Sequence, residues 1–177
     1  MKNILYFSVI ASLALSTTSC GDNRKAKNYN QKTLVDDMGL AFVKKATEAG
    51  ATEIKAATVA EQKSQNPRVL AFAKMMITDH TAAGNELKKI ADEKYVSYSD
   101  SLSQEHQQMI DSISQLSGPA FDKAYMNMMV MDHGKVIELF KDAGRNTNKT
   151  INKYANKTVP KLQEHLDSAK AINASLK

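Results

Sequence analysis

This 177-residue sequence contains few of the features that identify an enzyme. It has one cysteine, so no disulfide can form within the chain. It has no tryptophan, only three prolines and seven glycines, and no glycine-rich phosphate loop, nucleophile elbow or Cys-x-x-Cys pair. These absences exclude a disulfide-stabilised scaffold and leave no motif for nucleotide or nucleic-acid binding. We therefore expect no nucleic-acid partner, and we favour a non-enzymatic role.

The first twenty residues have the features of a bacterial export signal. Lys2 supplies a positive charge, and the mostly apolar segment 4–15 is too short to span a bilayer, which requires about 20 residues. Small and hydroxylated residues then lead to Cys20, in a pattern that looks like a lipobox and resembles lipoproteins of Bacteroidetes-type bacteria. We expect residues 1–19 to be a cleaved signal peptide and Cys20 to be lipidated. The alternative is a plain secretory signal that ends near an incidental cysteine.

A lipid on Cys20 would anchor the protein in the cell envelope of a Gram-negative bacterium, at the inner or the outer membrane. Residues 20–35 are expected to be the lipidated cysteine and a flexible tether, because 21–32 are polar and lack hydrophobic periodicity. Residues 36–177 then form one domain, in the periplasm or at the cell surface. The membrane is the one partner that this pattern predicts; it identifies no protein partner and no oligomeric state.

The rest of the chain has the composition of an all-α domain, with little glycine or proline and much of its apolar volume in alanine and methionine. Asn66-Pro67 has the form of an N-cap followed by the first helical residue. Hydrophobic periodicity predicts an antiparallel four-helix bundle, with a short extra helix near 102–116 between the second and third long helices. We expect Pro160 to kink or break the last helix near Val159. The four long helices are predicted over 36–64, 67–93, 119–144 and 147–175.

Each long helix has one strongly polar residue on its otherwise apolar or small-residue face. These residues are Glu53, His80, His133 and His165, and they include three of the four histidines in the chain. Buried ionisable groups cost several kcal/mol unless they are paired. Counting from the turns places the first three at similar heights but His165 about 9 Å from His133. One divalent metal ion (Zn, Fe, Mn or Cu) bound by these residues would satisfy them, and so would a Glu–His network without metal.

A short repeat surrounds two of the histidines, as MMITDH at 75–80 and MMVMDH at 128–133. Met76 and Met129 each share a helix face with the histidine four residues later. A thioether beside an imidazole is a donor set for Cu(I), although methionine at this spacing is more often core filler.

The repeat also places an aspartate before each of these histidines. Asp79 and Asp132 either orient a histidine of a neighbouring helix, as carboxylates do behind metal ligands, or are solvated. The fourth histidine, His106, lies among polar residues in the short helix, and we expect it to be exposed.

From about Asp37 to its C-terminus the chain resembles the domain-of-unknown-function 4142 family, bacterial envelope proteins with a ferritin-like four-helix bundle. The resemblance implies a fold and not an activity. It also raises the question of a di-iron centre, which requires Glu-x-x-His on two helices. That motif is missing, so we expect at most a single ion. The segments that carry the resemblance are FVKKATEAGATEIKAA (42–57), FAKMMITDH (72–80), FDKAYMNMMVMDH (121–133) and VPKLQEHL (159–166).

Three functions follow from these observations. The favoured one is a non-catalytic envelope lipoprotein whose helical domain serves interaction or stress protection. The second is a mononuclear metal-binding domain that uses the buried Glu/His cluster. The third, with least support, is a metal-dependent redox enzyme built on the same cluster.

Overall fold

The computed structural model describes residues 32–176, and this part of the chain folds into five α-helices. The predicted helix ranges are confirmed to within two residues at each end. The predicted signal peptide, Cys20 and most of the predicted tether lie outside the described residues. No helix in the described range is long and apolar enough to cross a membrane. The helices are α1 (Asp37–Lys63), α2 (Pro67–Glu93), α3 (Gln104–Ser114), α4 (Gly118–Ala143) and α5 (Lys149–Ser175).

The long helices form a ferritin-like bundle with one long crossover. The short turns make α1–α2 and α4–α5 antiparallel hairpins, as predicted. Lys63, at the end of α1, donates to the carbonyl of Leu116, just before α4, so α4 begins where α1 ends. The segment 94–117 therefore crosses the length of the bundle, and its helix α3 packs against α1 and α4. As a result α1 and α5 run in one direction and α2 and α4 in the other.

Pro160 lies inside α5, and the helix continues through it without a break. The predicted break near Val159 is therefore wrong. Proline has no N–H, so the carbonyl of Asn156, four residues earlier, loses its helical partner. Both Pro160 and Asn156 are exposed, so water can hydrogen-bond to that carbonyl and the helix can continue.

The bundle interior consists of two apolar clusters at opposite ends with a polar layer between them. The cluster near the N-terminus of α1 contains the rings of Phe42, Phe140 and Tyr154, which pack edge-on or tilted against one another. Phe72 and Tyr125 represent the cluster near the N-terminus of α2. The polar layer between them contains the residues that the sequence analysis identified.

Asp36 caps α1 and also links it to the turn between α4 and α5, at the same end of the bundle. Its carboxylate accepts from the backbone N–H of Gly39 at 2.7 Å and from the side-chain amide of Asn146, before α5, at 3.0 Å. We expect Asp36→Ala to destabilise the domain by about 1–2 kcal/mol. Asn66→Ala, which removes a cap with only a local partner, should cost about 1 kcal/mol or less. Urea unfolding of both variants tests this, and equal losses would contradict the role of the Asn146 contact.

Candidate metal centre

Glu53, His80, His133 and His165 all point into the polar layer. They come from four different helices: α1, α2, α4 and α5. Their exposed fractions are 1%, 7%, 0% and 1%, so the layer is almost fully removed from water. Helical periodicity puts each of them on the face that packs into the core, between the two apolar clusters.

The three histidines converge on one point. Each ring has one nitrogen that lies within 4.8 Å of one nitrogen of each of the other two rings. The ring centroids are 5.2–5.7 Å apart. Three nitrogens bound to a tetrahedral metal at 2.0–2.1 Å would lie about 3.4 Å apart. Binding of one ion would therefore require the three nitrogens to move closer together by about 1.4 Å or less. His165 lies closer to His133 than residue counting predicted.

Two of the imidazoles are oriented by a hydrogen bond at one of their ring nitrogens. The Nδ1–H of His133 donates to the carbonyl oxygen of Met129 at 2.9 Å. The Nε2–H of His165 donates to Oδ2 of Asp79 at 2.8 Å. Because a neutral imidazole has one N–H, the other nitrogen of each ring has a free lone pair. Those nitrogens, His133 Nε2 and His165 Nδ1, are buried and have no hydrogen-bond partner.

The third imidazole, that of His80, lies next to Glu53. Its Nδ1 lies 3.1 Å from Oε2 of Glu53, while its buried Nε2 has no hydrogen-bond partner. The other Glu53 oxygen, Oε1, lies 3.2 Å from Nδ1 of His133. Neither carboxylate oxygen has hydrogen-bond geometry to a partner. The carboxylate thus lies beside the Nδ1 atoms, on the opposite side of these two rings from their free nitrogens.

Burial also sets the protonation of the layer. It lowers the pKa of His80 to about 3, with help from His133 and His165, and it lowers the pKa of His133 to about 4, with help from His165. Both rings are therefore neutral at pH 7, the form that binds metals. Burial, together with the charge of Asp132, raises the pKa of Glu53 well above its usual value.

Comparison with known proteins gives a family and a fold. Residues 24–172 match the family described as a domain of unknown function, DUF4142. The chain belongs to the DUF4142 family. The crystal structure of a DUF305 fragment from Deinococcus radiodurans is similar, with a TM-score of 0.71 and 13% identity over 79% of this chain and 97% of that chain. At that identity the similarity shows the helical fold alone. No curated protein sequence matches the chain significantly.

In this DUF4142 domain the two aspartates of the repeat have different surroundings. Asp79 on α2 contacts a histidine of the neighbouring α5, the arrangement that the sequence analysis considered. Asp132 on α4 is buried, and its Oδ2 has no hydrogen-bond partner. Burial raises the pKa of Asp132, and its charge acts on Glu53. Asp132 therefore affects the layer through its charge.

The two methionines of the repeat lie in the core. Met76 and Met129 are both fully buried in the apolar cluster near the start of α2. Met129 has a further role, because its backbone carbonyl orients His133. That contact depends on the helical i, i+4 spacing and not on the thioether.

The sequence analysis missed two features around this layer. Tyr125 is fully buried, its hydroxyl has no hydrogen-bond partner, and burial together with the charge of Glu53 raises its pKa. His106 is half-buried against α1, with its Nδ1 2.6 Å from Oε1 of Glu48, so the prediction that it is exposed is wrong. Long-range packing covers His106, and its polar neighbours in the sequence gave no signal of this. Tyr125 lies four residues before Met129 on the same helix face, and that spacing could have indicated its burial.

Proposed function

We propose that this domain binds one divalent transition-metal ion through His80, His133 and His165. One observation carries the proposal: three buried imidazoles from three helices each place a ring nitrogen within 4.8 Å of the other two, and one nitrogen of each ring has no hydrogen-bond partner. A network that served structure alone would pair those atoms, because a buried unsatisfied polar group costs about 1–3 kcal/mol. A metal ion would satisfy all three nitrogens at once, and the protein would supply an ion site with a free fourth position.

The donor set narrows the choice of ion. Imidazole nitrogens suit Zn, Cu, Fe and Ni, whereas Mg, Ca and Mn prefer carboxylate and water oxygens. Affinities of nitrogen sites for divalent ions rise from Mn through Fe to Cu and fall again at Zn. We therefore expect Cu²⁺ to bind most tightly, Zn²⁺ to bind well and Mn²⁺ to bind weakly. The single Glu53 near the histidines gives no support for a di-iron centre.

Glu53 was a candidate ligand in the sequence analysis, and its place in the structure suggests a different role. Its oxygens lie beside Nδ1 of His80 and of His133, where a carboxylate orients a ligand and raises its basicity. We propose that Glu53 positions these two rings and compensates the charge of the ion. Asp79 does the same for His165.

Stoichiometry of the bound metal tests the proposal. Tag-free protein is incubated with Zn²⁺, Fe²⁺, Mn²⁺ or Cu²⁺, dialysed, and analysed by mass spectrometry for metal content. We expect about one equivalent of Zn²⁺ or Cu²⁺ per wild-type chain and none in His80→Ala/His133→Ala. His106→Ala removes a histidine outside the layer and should retain the full equivalent. Wild-type protein without metal, or a double variant that retains it, would refute the site.

A substitution at Asp79 tests the positioning role. Asp79→Asn keeps the side-chain size but removes the charge that strengthens the hydrogen bond from His165. We expect Zn²⁺ affinity to fall about tenfold, within the 10–100-fold usual for such groups, with stoichiometry unchanged. Asp142→Asn alters an exposed aspartate that pairs with Arg145 and should leave affinity unchanged. Equal affinities in titration calorimetry would show that Asp79 does not position the ligand.

We further propose that this domain is held at the bacterial envelope by a lipid on Cys20. The apolar segment 4–15 and the small residues before the chain's one cysteine support this. Mass spectrometry of the mature N-terminus is the test. An acylated Cys20 as first residue is expected, and an unmodified cysteine or cleavage elsewhere would refute the anchor.

A further inference from the structure

A cavity of about 560 Å³ opens directly beside the histidine layer. His80, His165 and Glu53 form part of its wall, so it lies directly against the proposed ion site. Small-molecule sites usually measure about 300–1,000 Å³. The cavity is therefore large enough for an organic ligand and not only for water.

Small residues on two facing helices create the cavity. Gly50 on α1 and Gly84 on α2 both line it, and a Cβ atom added at either would meet no heavy atom within 4 Å. Glycine inside a helix costs about 0.5–1 kcal/mol relative to alanine. Close helix packing does not compensate this cost at Gly50 and Gly84. The missing side chains leave open space next to the proposed ion site.

The lining of the cavity combines apolar and basic side chains. Leu87, Phe140 and Leu162 are apolar wall residues from three helices. Lysines 55, 88 and 161 also line it, and Lys88 is paired with Asp100. A ligand that fits this cavity can place an apolar body against these walls and a polar group beside His80 and His165.

We propose that the cavity binds an aliphatic carboxylate. A carboxylate oxygen of this ligand binds the metal ion, and its alkyl chain lies along the apolar walls. This inference rests on the proposed function. Three imidazole ligands bring no negative charge into direct contact with the ion and leave an open fourth position, which an anionic oxygen donor fills. Burial of the ligand's alkyl chain increases the affinity by about fourfold for each methylene removed from water. The ligand class is therefore a short- to medium-chain fatty acid or a molecule with such an end.

Octanoate is the probe, with acetate as the short-chain control. Calorimetric titration of the Zn²⁺-loaded protein should show octanoate binding more than tenfold tighter than acetate. Metal-free protein should bind octanoate at least tenfold more weakly than the loaded form. In Co²⁺-loaded protein, octanoate should change the visible spectrum, because the carboxylate enters the coordination sphere.

Gly84→Leu tests the location by filling the cavity. We expect it to bind Zn²⁺ as the wild type does and to lose octanoate binding by more than tenfold. Gly134→Leu is the matched control, since Gly134 is also helical with nothing within 4 Å of an added Cβ but does not line the cavity. It should bind both Zn²⁺ and octanoate normally.

The outcomes separate this inference from the proposed function. Zn²⁺ binding without octanoate binding overturns the inference and leaves the metal site standing. Equal octanoate affinity with and without metal overturns coordination by the carboxylate. Unchanged octanoate binding in Gly84→Leu overturns the assignment to this cavity. Failure to bind Zn²⁺ at all refutes the proposed function itself.

Discussion

Zn²⁺ at about a thousand times its dissociation constant should raise the Tm of the wild-type domain by roughly 8–16 °C. Ligand in that excess stabilises the folded state by about 4 kcal/mol, provided that the unfolded chain binds it weakly. For a domain of this size each kcal/mol corresponds to about 2–4 °C. The gain is large because one ion would satisfy three buried nitrogens that now have no partner. Thermal scans in buffer with and without Zn²⁺ measure it.

Two variants show whether the shift belongs to the histidine layer. His80→Ala/His133→Ala removes two of the three proposed ligands and should reduce the shift to about 1 °C or less. His106→Ala removes the remaining histidine of the chain, which pairs with Glu48 on the outer side of α1. It should retain the full shift. A shift that persists in the double variant would mean that Zn²⁺ binds elsewhere, and the absence of any shift in the wild type would contradict a tight site.

The fold could be read from the sequence because local signals agreed with one another. Asn66-Pro67 begins α2 as predicted, and short turns made the two hairpins certain. Pro160 was the exception: a local rule for proline predicted a kink or a break, and the helix does not break. It continues because the carbonyl that loses its partner lies on the exposed face of α5, which no local pattern reveals.

The sequence also predicted which four residues form the polar layer, but it predicted their relative positions only in part. Counting residues put His165 about 9 Å from His133 along the bundle, on a rise of 1.5 Å per residue. The ring centroids are in fact 5.5 Å apart. Side chains lean toward the N-terminus of their own helix, so residues on antiparallel helices can lean toward each other's level. α4 and α5 are antiparallel, and this lean accounts for part of the discrepancy.

The role of Glu53 and the cavity could not be predicted from periodicity. Periodicity shows that Glu53 faces inward, but not which nitrogen of His80 it meets. Glycines at helix contacts usually allow close packing, so periodicity alone does not assign Gly50 and Gly84 to a cavity wall. That they line open space depends on the separation of α1 and α2, a tertiary property that the sequence pattern does not encode.

Glu53→Gln should stabilise the metal-free domain, and the gain should grow with pH. The folded-state pKa of Glu53 is raised well above its usual value, first by burial and then by the charge of Asp132. A raised carboxyl pKa gives stability that is present below the unfolded pKa, near 4.5, and is lost as pH rises toward the folded pKa. Glutamine avoids that loss, which amounts to about 1.4 kcal/mol per pH unit. Urea unfolding of both proteins at pH 5 and pH 8, with a chelator, measures the difference.

The histidines change stability with pH in the opposite direction, and the comparison removes their effect. The folded pKa values of His80 and His133 lie below the ordinary 6.5, so their contribution is present above pH 6.5 and is lost on acidification. Wild type and Glu53→Gln share these two rings, and their difference isolates Glu53. If the variant is less stable than the wild type at pH 8, the carboxylate stabilises the fold and the raised pKa is wrong.

Glu48→Gln is the matched control, because Glu48 is the other glutamate that faces a histidine. Burial acts to raise its pKa, but hydrogen bonds from His106 and Ser103 outweigh burial and lower it. Its stability contribution is therefore present above the unfolded pKa and lost as pH falls. Glu48→Gln should destabilise the domain at neutral pH, the opposite sign to Glu53→Gln. The same substitution thus distinguishes a glutamate that stabilises the fold from one that costs stability.

The proposed metal binding would supply a reason to keep a glutamate that costs stability. If Glu53 positions His80 and His133 and compensates the ion's charge, Glu53→Gln should weaken Zn²⁺ binding by about 10–100-fold while it stabilises the metal-free domain. A residue retained for structure alone cannot give that pair of results, because its loss would not improve stability. Titration calorimetry with Zn²⁺ beside the urea curves measures both effects in one variant. If Glu53→Gln has unchanged Zn²⁺ affinity and increased stability, Glu53 has no role at the ion. That result would favour a Glu–His network without metal.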